Sequence, residues 1–182
     1  MPYMGEDNVE VDNHDDIDSL LRDIFDHTGL RSNFVAQPAD VPNAMAYMDN
    51  SGNRLILYNP RFMRQLVESI GPNWAQLSIL LHEVGHHLQG HIFENTGDVK
   101  HREIEADEFS GYLMYRMGAT LEEATSVASE LTDERVTPTH PPRSERLAAI
   151  TAGWNRAQVI TIHETELAIE RDRRTAKTKR GF

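Results

Sequence analysis

The sequence contains no cysteine among its 182 residues. This absence excludes disulfides, thiolate ligands for a metal, a cysteine nucleophile and any lipid anchor attached through cysteine. Basic residues are also few, since 18 Lys and Arg stand against 29 Asp and Glu, for a formal net charge of −11. Such an acidic balance argues against general nucleic-acid binding, so we expect no nucleic-acid partner.

Long apolar runs are missing as well. The longest, around residues 77–81, is far shorter than the roughly 20 residues that a membrane-spanning helix needs. The N-terminus is acidic where a signal peptide would be basic. We therefore expect a soluble, cytoplasmic protein without a membrane segment. The length suits one domain, predicted at 15–160, between an acidic flexible segment at 1–14 and a charged helix or tail at 161–182.

The spacing of apolar residues predicts a mostly helical chain with a small sheet. Helical periodicity predicts helices over 17–29, 60–71, 72–88 and 100–117, then from the capping box at Thr120 and Glu123, and from Pro141. The period changes in between, and predicts strands at 34–35, 43–48 and 54–58. A turn at 49–53 makes the last two strands a hairpin. The predicted class is α+β, with a small antiparallel sheet.

Histidine is the residue type in excess, and five of the nine lie between residues 82 and 101. His82-Glu83-Val84-Gly85-His86 is an H-E-x-x-H segment on a predicted helix, which places two imidazoles one turn apart on the same face. Both can bind one metal ion. Glu83 would then project toward a water at the open coordination position and act as its general base. Taken alone, the motif could also be a helix with a few buried, hydrogen-bonded histidines.

A second acidic segment supplies what the motif lacks. A catalytic zinc needs three protein ligands and an open fourth position. Glu103, on the next predicted helix, can be the third ligand. Asp107, one turn further along the same face, can accept a hydrogen bond from the outer nitrogen of a ligand histidine. The alternative is a solvated acidic face that also contains Glu105 and Glu108. We expect one catalytic Zn²⁺, bound by His82, His86 and Glu103.

A rival histidine pair exists within the same segment. His87 and His91 are also four residues apart, but Leu88 follows His87, so that pair lacks a base. We expect His91 to support the metal ligands from behind, as Asp107 does, by packing or hydrogen bonding near the site.

The run from His82 to His91, followed by Glu103-Ile-Glu-Ala-Asp107, resembles the zinc metallopeptidases of the HtpX and CAAX-prenyl-endopeptidase family. That family consists of gluzincins, in which two histidines and one glutamate bind zinc. The resemblance implies a zincin-like fold and a zinc-dependent endopeptidase that acts on protein or peptide substrates. Many members are membrane proteins, whereas this sequence resembles a reduced, soluble version of the catalytic core.

Two further segments are similar to motifs of that family, so that the similarity runs from about residue 34 to residue 150. By this resemblance, His140 would stabilise the oxyanion, and Arg146 would bind the wall of the active site or the substrate. Asn43 and Ala44 would lie on an edge strand that faces the cleft and pairs with the substrate backbone. Each residue also has an ordinary explanation, namely a loop histidine, a surface ion pair, and turn chemistry at Pro42-Asn43.

Two other functions stay open at this point. The domain could be a zinc-bound sensor or interaction module that holds a partner without turnover. A fourth protein ligand such as His91 or His101 would favour this function, whereas the intact Glu83 argues against it. The domain could also be a narrowly specific regulatory protease that cuts one partner. The sequence makes no prediction of oligomeric state.

Overall fold

A computed structural model of the chain describes residues 14–29, 31–71, 74–93, 98–132, 135 and 140–179. Apart from its last residue, the predicted acidic segment at 1–14 lies outside these residues. The elements in chain order are α1 (His14–Thr28), β1 (Phe34–Pro38), β2 (Ala44–Met48), β3 (Arg54–Tyr58), α2 (Pro60–Ile70), α3 (Trp74–Leu88), a 3-10 turn (His91–Phe93), α4 (Val99–Arg116), α5 (Leu121–Leu131) and α6 (Arg143–Lys179). The predicted α+β class is confirmed.

Local sequence signals set several helix boundaries. Asn59 caps α2 by accepting hydrogen bonds from two backbone N–H groups, and Pro60 occupies the first turn. The capping box predicted at Thr120 and Glu123 is present at the start of α5. Residues 161–179, from the segment 161–182 predicted as a charged helix or tail, continue α6 without a break. The domain division itself stays a prediction.

Among the described residues, no helix combines the length and the apolar character needed to cross a membrane.

The sheet differs from the wholly antiparallel one that the sequence predicted. β2 and β3 form the expected antiparallel hairpin, but β1 pairs with β3 in parallel, and the strand order is β1-β3-β2. The central position goes to β3, whose run of Leu55 to Tyr58 is the most apolar of the three. Pro38 cannot donate a ladder hydrogen bond, so β1 belongs at an edge. Alternating polarity reports which face a strand buries but not which neighbour it pairs with, so the mixed sheet was not predicted.

Helix α3 lies at the centre of the molecule, with the sheet on one side and helices on the others. It contacts α1, α2, α4, α5, β2 and β3. The largest fully buried apolar side chains come from these surrounding elements and from α3 itself: Ile17, Ile24, Ile56, Tyr58, Met63, Leu66, Leu80, Leu81 and Met114. The H-E-x-x-H segment is therefore built on the helix with the most neighbours.

His87 attaches the C-terminal end of α3 to the sheet. Its side chain is buried, its Nε2 donates to the Leu55 carbonyl oxygen at 2.7 Å, and its ring stacks on Phe34 at 4.7 Å. Arg54 donates to the His87 carbonyl oxygen. Burial lowers the pKa of His87 to about 4, so the ring is neutral at pH 7. Since His87 points into the sheet, it does not form the rival metal pair with His91.

Helices α4 and α6 approach so closely that glycine is required at the contact. A Cβ atom on Gly111 would lie 2.0 Å from the Ile150 carbonyl oxygen, and one on Gly153 would lie 1.9 Å from the Glu108 carbonyl oxygen. Both obstructing atoms are backbone, so they cannot move without shifting a helix. The two glycines thus fix the spacing between the helix that carries Glu103 and Asp107 and the helix that carries Arg146.

We predict that Gly153→Ala destabilises the protein, although alanine is the better helix former by about 1 kcal/mol. The added methyl group must push α4 and α6 apart, and such overpacking costs about 1 to 3 kcal/mol. Urea denaturation monitored by circular dichroism measures the free energy of unfolding. The control is Ala152→Gly at the exposed neighbouring position, which reports the helix-propensity contribution alone. A Gly153→Ala protein more stable than the wild type would contradict the close contact.

Candidate metal centre

Three side chains from α3 and α4 converge at one point. His82 Nε2 lies 3.1 Å from His86 Nε2, and these two atoms lie 3.5 and 3.4 Å from the carboxylate oxygens of Glu103. The helical spacing places both imidazoles on one face of α3, and α4 brings the carboxylate to that face. The structure therefore brings together all three residues that the sequence singled out as ligands.

The spacing of these atoms fits a zinc ion. In a tetrahedral zinc site with ligand bonds of 2.0 to 2.1 Å, neighbouring ligand atoms lie about 3.3 Å apart. The three observed separations are close to that value. His82, His86 and Glu103 also form the one group of metal-binding side chains found within the described part of the chain. Two imidazoles and one carboxylate are a donor set that zinc accepts, and they leave a fourth position open.

The electrostatics of the cluster favour a cation. Burial by itself would raise the pKa of Glu103, but hydrogen bonds from His82 and His86 hold it well below its usual range. Burial would likewise lower the pKa of His82, but Asp107, Glu103 and Glu83 raise it to about 10. In the metal-free protein a proton on His82 therefore offsets part of the local negative charge. A divalent ion can replace that proton and interact with the same carboxylates.

A buried carboxylate holds His82 from behind. Asp107 is 2% exposed, and its Oδ1 lies 2.9 Å from His82 Nδ1. Arg146 donates to both oxygens of this carboxylate at 2.7 Å. Burial would raise the pKa of Asp107, but Arg146 and His82 hold it below its ordinary value. Arg146 thus forms a buried ion pair with the carboxylate that contacts His82.

Glu83 is buried beside the edge strand. The Ala46 N–H donates to Glu83 Oε2 at 2.6 Å, which fixes the direction of the carboxylate. This bond also shows that the outer edge of β2 faces the site. The cleft between β2 and the three converging side chains has a volume of about 650 Å³. Its walls include Asn43, Ala44, Ala46, His82, Glu83, His86, Glu103, His140 and Arg146.

Asn43 and Ala44 line the cleft at the start of β2. The strand begins at Ala44, one residue later than predicted, so Asn43 lies in a bend just before it. Its side-chain oxygen accepts a hydrogen bond from the Ala44 N–H at 2.8 Å, and its carbonyl oxygen accepts one from the Asn59 N–H at 2.7 Å. The Asn43 side-chain oxygen therefore already has a partner within the turn, whether or not Asn43 also contacts substrate.

Two further histidines border the cluster. His140 is largely exposed at the mouth of the cleft, with its Nδ1 3.5 Å from Glu103 Oε2. His91 is buried on the opposite side of His86, where its Nδ1 lies 2.9 Å from His86 Nδ1. His91 thus contacts Nδ1 of His86, the ring nitrogen that faces away from the cluster.

Sequence reasoning missed two groups at this site. The Ala46 N–H is a backbone group, so residue type carries no signal for it; only the strand alternation could have shown that it points outward. Glu105 was treated as a member of a solvated acidic face, but its Oε2 lies 3.0 Å from His91 Nε2. The sequence does place Glu105 between Glu103 and Asp107. Predicting its contact with His91, however, requires knowing where the turn after α3 leads.

The family model described as peptidase family M48 matches residues 99–153. The matched segment contains α4, α5 and the first part of α6, and with them Glu103, Asp107, His140 and Arg146. The match confirms, for this part of the chain, the resemblance to metallopeptidases of the HtpX and CAAX-prenyl-endopeptidase type. No curated protein and no solved structure matches the chain.

We predict that Arg146→Met lowers both stability and zinc affinity. It leaves the Asp107 carboxylate buried without its cationic partner, a change that costs about 3 to 5 kcal/mol in other proteins. It also frees the carboxylate that orients His82, for which a 10- to 100-fold loss of metal affinity is typical. Urea denaturation of the metal-free protein and zinc titration against a competing chelator measure the two effects.

The matched control is Arg156→Met. Arg156 also lies on α6 and pairs with a carboxylate of α4, Glu108, at 2.7 Å, but this pair is largely exposed. Exposed pairs contribute under about 1 kcal/mol. Equal losses of stability in the two variants would show that the Asp107 pair has no special role.

Proposed function

We propose that this protein is a zinc-dependent endopeptidase that hydrolyses peptide bonds of protein substrates with Glu83 as general base. The match to peptidase family M48 indicates a metallopeptidase. The more specific proposal of a zinc endopeptidase is supported by one observation. The possible ligand atoms of His82, His86 and Glu103 converge beside Glu83, which the edge strand of the cleft holds by a hydrogen bond.

A zinc ion bound by His82, His86 and Glu103 would supply Lewis-acid polarisation of the substrate carbonyl and a lowered pKa for a bound water. The protein's own groups do the rest of the proton chemistry. Glu83 takes the proton of the attacking water and later passes it to the leaving amine. The Ala46 N–H keeps the Glu83 carboxylate in one orientation at the wall of the cleft.

The substrate would lie extended along β2. Because backbone direction alternates along an antiparallel strand and the Ala46 N–H points outward, the polar backbone groups of Ala44 and Met48 point outward as well. The Ala44 and Ala46 N–H groups already donate to Asn43 and Glu83. Pairing would therefore rely on substrate N–H groups that donate to the Ala44 and Ala46 carbonyl oxygens. This mode gives affinity with little sequence preference.

His140 and Asp107 complete the proposed machinery. His140 lies at the mouth of the cleft next to Glu103, where it would stabilise the oxyanion of the substrate carbonyl. Asp107 keeps the proton of His82 on Nδ1, so that Nε2 is free to bind the ion.

A catalytic site is supported over a closed, structural one. Within the described residues the ligand group has three members, which leaves the fourth position for water and substrate. His91 contacts His86 from behind, and His101 is exposed beside Glu105 at 3.4 Å, so neither adds the fourth ligand that a sensor module would favour. A soluble, cytoplasmic protein remains the expectation from the sequence.

We predict that Glu83→Gln retains zinc but loses cleavage of an unfolded substrate such as casein by at least about 100-fold, the lower end of what a general base contributes. The amide cannot take a proton, whereas the metal ligands are untouched. Metal analysis of the purified protein and a fluorescent casein assay measure the two properties. The control is Glu145→Gln on the exposed first turn of α6, which should cleave like the wild type.

Retained cleavage by Glu83→Gln would overturn the mechanism. If wild type leaves casein intact, new protein termini in the native cell are compared between wild type and Glu83→Gln. Termini that depend on Glu83 would identify a narrowly specific protease, and their absence with zinc still bound would favour the non-catalytic module.

A further inference from the structure

A row of hydrogen-bonded side chains leads away from the metal cluster on the far side of His86. His86 Nδ1 lies 2.9 Å from His91 Nδ1, and His91 Nε2 lies 3.0 Å from Glu105 Oε2. The His91 side chain is 5% exposed, while that of Glu105 is 38% exposed. The row thus connects a proposed metal ligand, through a buried ring, to a carboxylate at the surface.

The direction of each bond in this row follows from the two ends. His86 Nε2 faces the cluster, because it lies 3.1 Å from His82 Nε2 and 3.4 Å from a Glu103 oxygen. A neutral imidazole that uses Nε2 as a metal ligand carries its hydrogen on Nδ1. His86 Nδ1 must therefore donate, and His91 Nδ1 must accept.

The same logic fixes the hydrogen of the second ring. A neutral His91 that accepts at Nδ1 carries its hydrogen on Nε2, where the Glu105 carboxylate accepts it. A carboxylate accepts only, so it excludes the other tautomer of His91. That other tautomer would set two N–H groups against each other at the 2.9 Å contact. Glu105 thus determines the proton position on both rings.

The two metal-binding histidines are held differently. His82 is backed directly by the buried carboxylate of Asp107, which Arg146 holds in place. His86 is backed by the neutral ring of His91. The carboxylate that pairs with this ring, Glu105, therefore lies one residue further from the metal position. Glu105 is two residues from Glu103 along α4, so it points to another side of that helix. The 3-10 turn after α3 brings His91 to it.

We propose that His91 and Glu105 are positioning residues that hold the hydrogen of His86 on Nδ1 and thereby direct its Nε2 to the metal. This inference rests on the proposed function only in requiring that the cluster binds zinc. Residues that orient a ligand in this way typically change metal affinity 10- to 100-fold when they are lost.

The test compares His91→Phe with His91→Asn in zinc titrations against a competing chelator. Phenylalanine keeps a ring but has no acceptor, so zinc affinity should fall 10- to 100-fold. Asparagine can place its side-chain oxygen near the position of Nδ1, so affinity should stay within about threefold of wild type. Glu105→Ala should lie between the two. The control is His101→Ala, on the exposed side of Glu105, which should bind zinc like the wild type.

A second readout does not depend on affinity or activity. Long-range ¹H–¹⁵N correlation spectra of the metal-free protein, labelled at histidine nitrogens, assign the tautomers where no ion sets them. Wild type should show hydrogen on Nδ1 of His86 and on Nε2 of His91, and Glu105→Ala should lose the single tautomer of His91. Thermal melts of the metal-free variants show whether each one folds.

The outcomes separate this inference from the proposed function. Wild type that binds no zinc would overturn both. Wild type that binds zinc, together with a folded His91→Phe of equal affinity, would overturn this inference alone. If His91→Phe does not fold, then Glu105→Ala decides: an unchanged His91 tautomer and unchanged affinity would contradict the proposed role.

Discussion

The rest of the site depends on the contacts of one buried carboxylate, that of Asp107, with His82 and Arg146. A charge at 2% exposure is tolerated only when it is paired and hydrogen-bonded, and Asp107 meets this requirement with His82 on one side and Arg146 on the other. These three residues belong to α3, α4 and α6. The need to satisfy one carboxylate therefore fixes three helices relative to one another, and the orientation of a proposed zinc ligand follows from that arrangement.

Close backbone packing makes this arrangement rigid. Gly111 and Gly153 allow α4 and α6 to approach to a distance that no side chain would permit. Gly85, inside the H-E-x-x-H segment, lies at a close but less restrictive contact between α3 and α4, where a Cβ would lie 3.2 Å from the Ala106 Cα. The neutral His87 joins the C-terminal end of α3 to the sheet. As a result, the cluster and the edge strand β2 face each other across one cleft, where the Ala46 N–H holds Glu83.

Much of this was accessible from local patterns. Helical periodicity predicted the helices to within a few residues, and the signals at Asn59 and Thr120 predicted two of the helix starts. Pairing was harder to predict, because the alternation in β1 reports its buried face and not its partner, so its parallel pairing with β3 was missed. Likewise, Glu105 appeared to be a surface charge, since nothing local indicates that the turn after α3 brings His91 to it.

The sequence by itself determined the proposed donor set, because two histidines four residues apart share a helix face whatever surrounds them, and a chain without cysteine can offer zinc only imidazole and carboxylate side chains. It also determined the helical content and the family resemblance that residues 99–153 bear out. Only the tertiary structure decided which groups hold those ligands. The contacts of Asp107 with Arg146, of His91 with Glu105 and of Ala46 with Glu83 join residues 39, 14 and 37 positions apart. Such contacts exist only once helices and strands have packed, because packing and not residue type sets the distance between them.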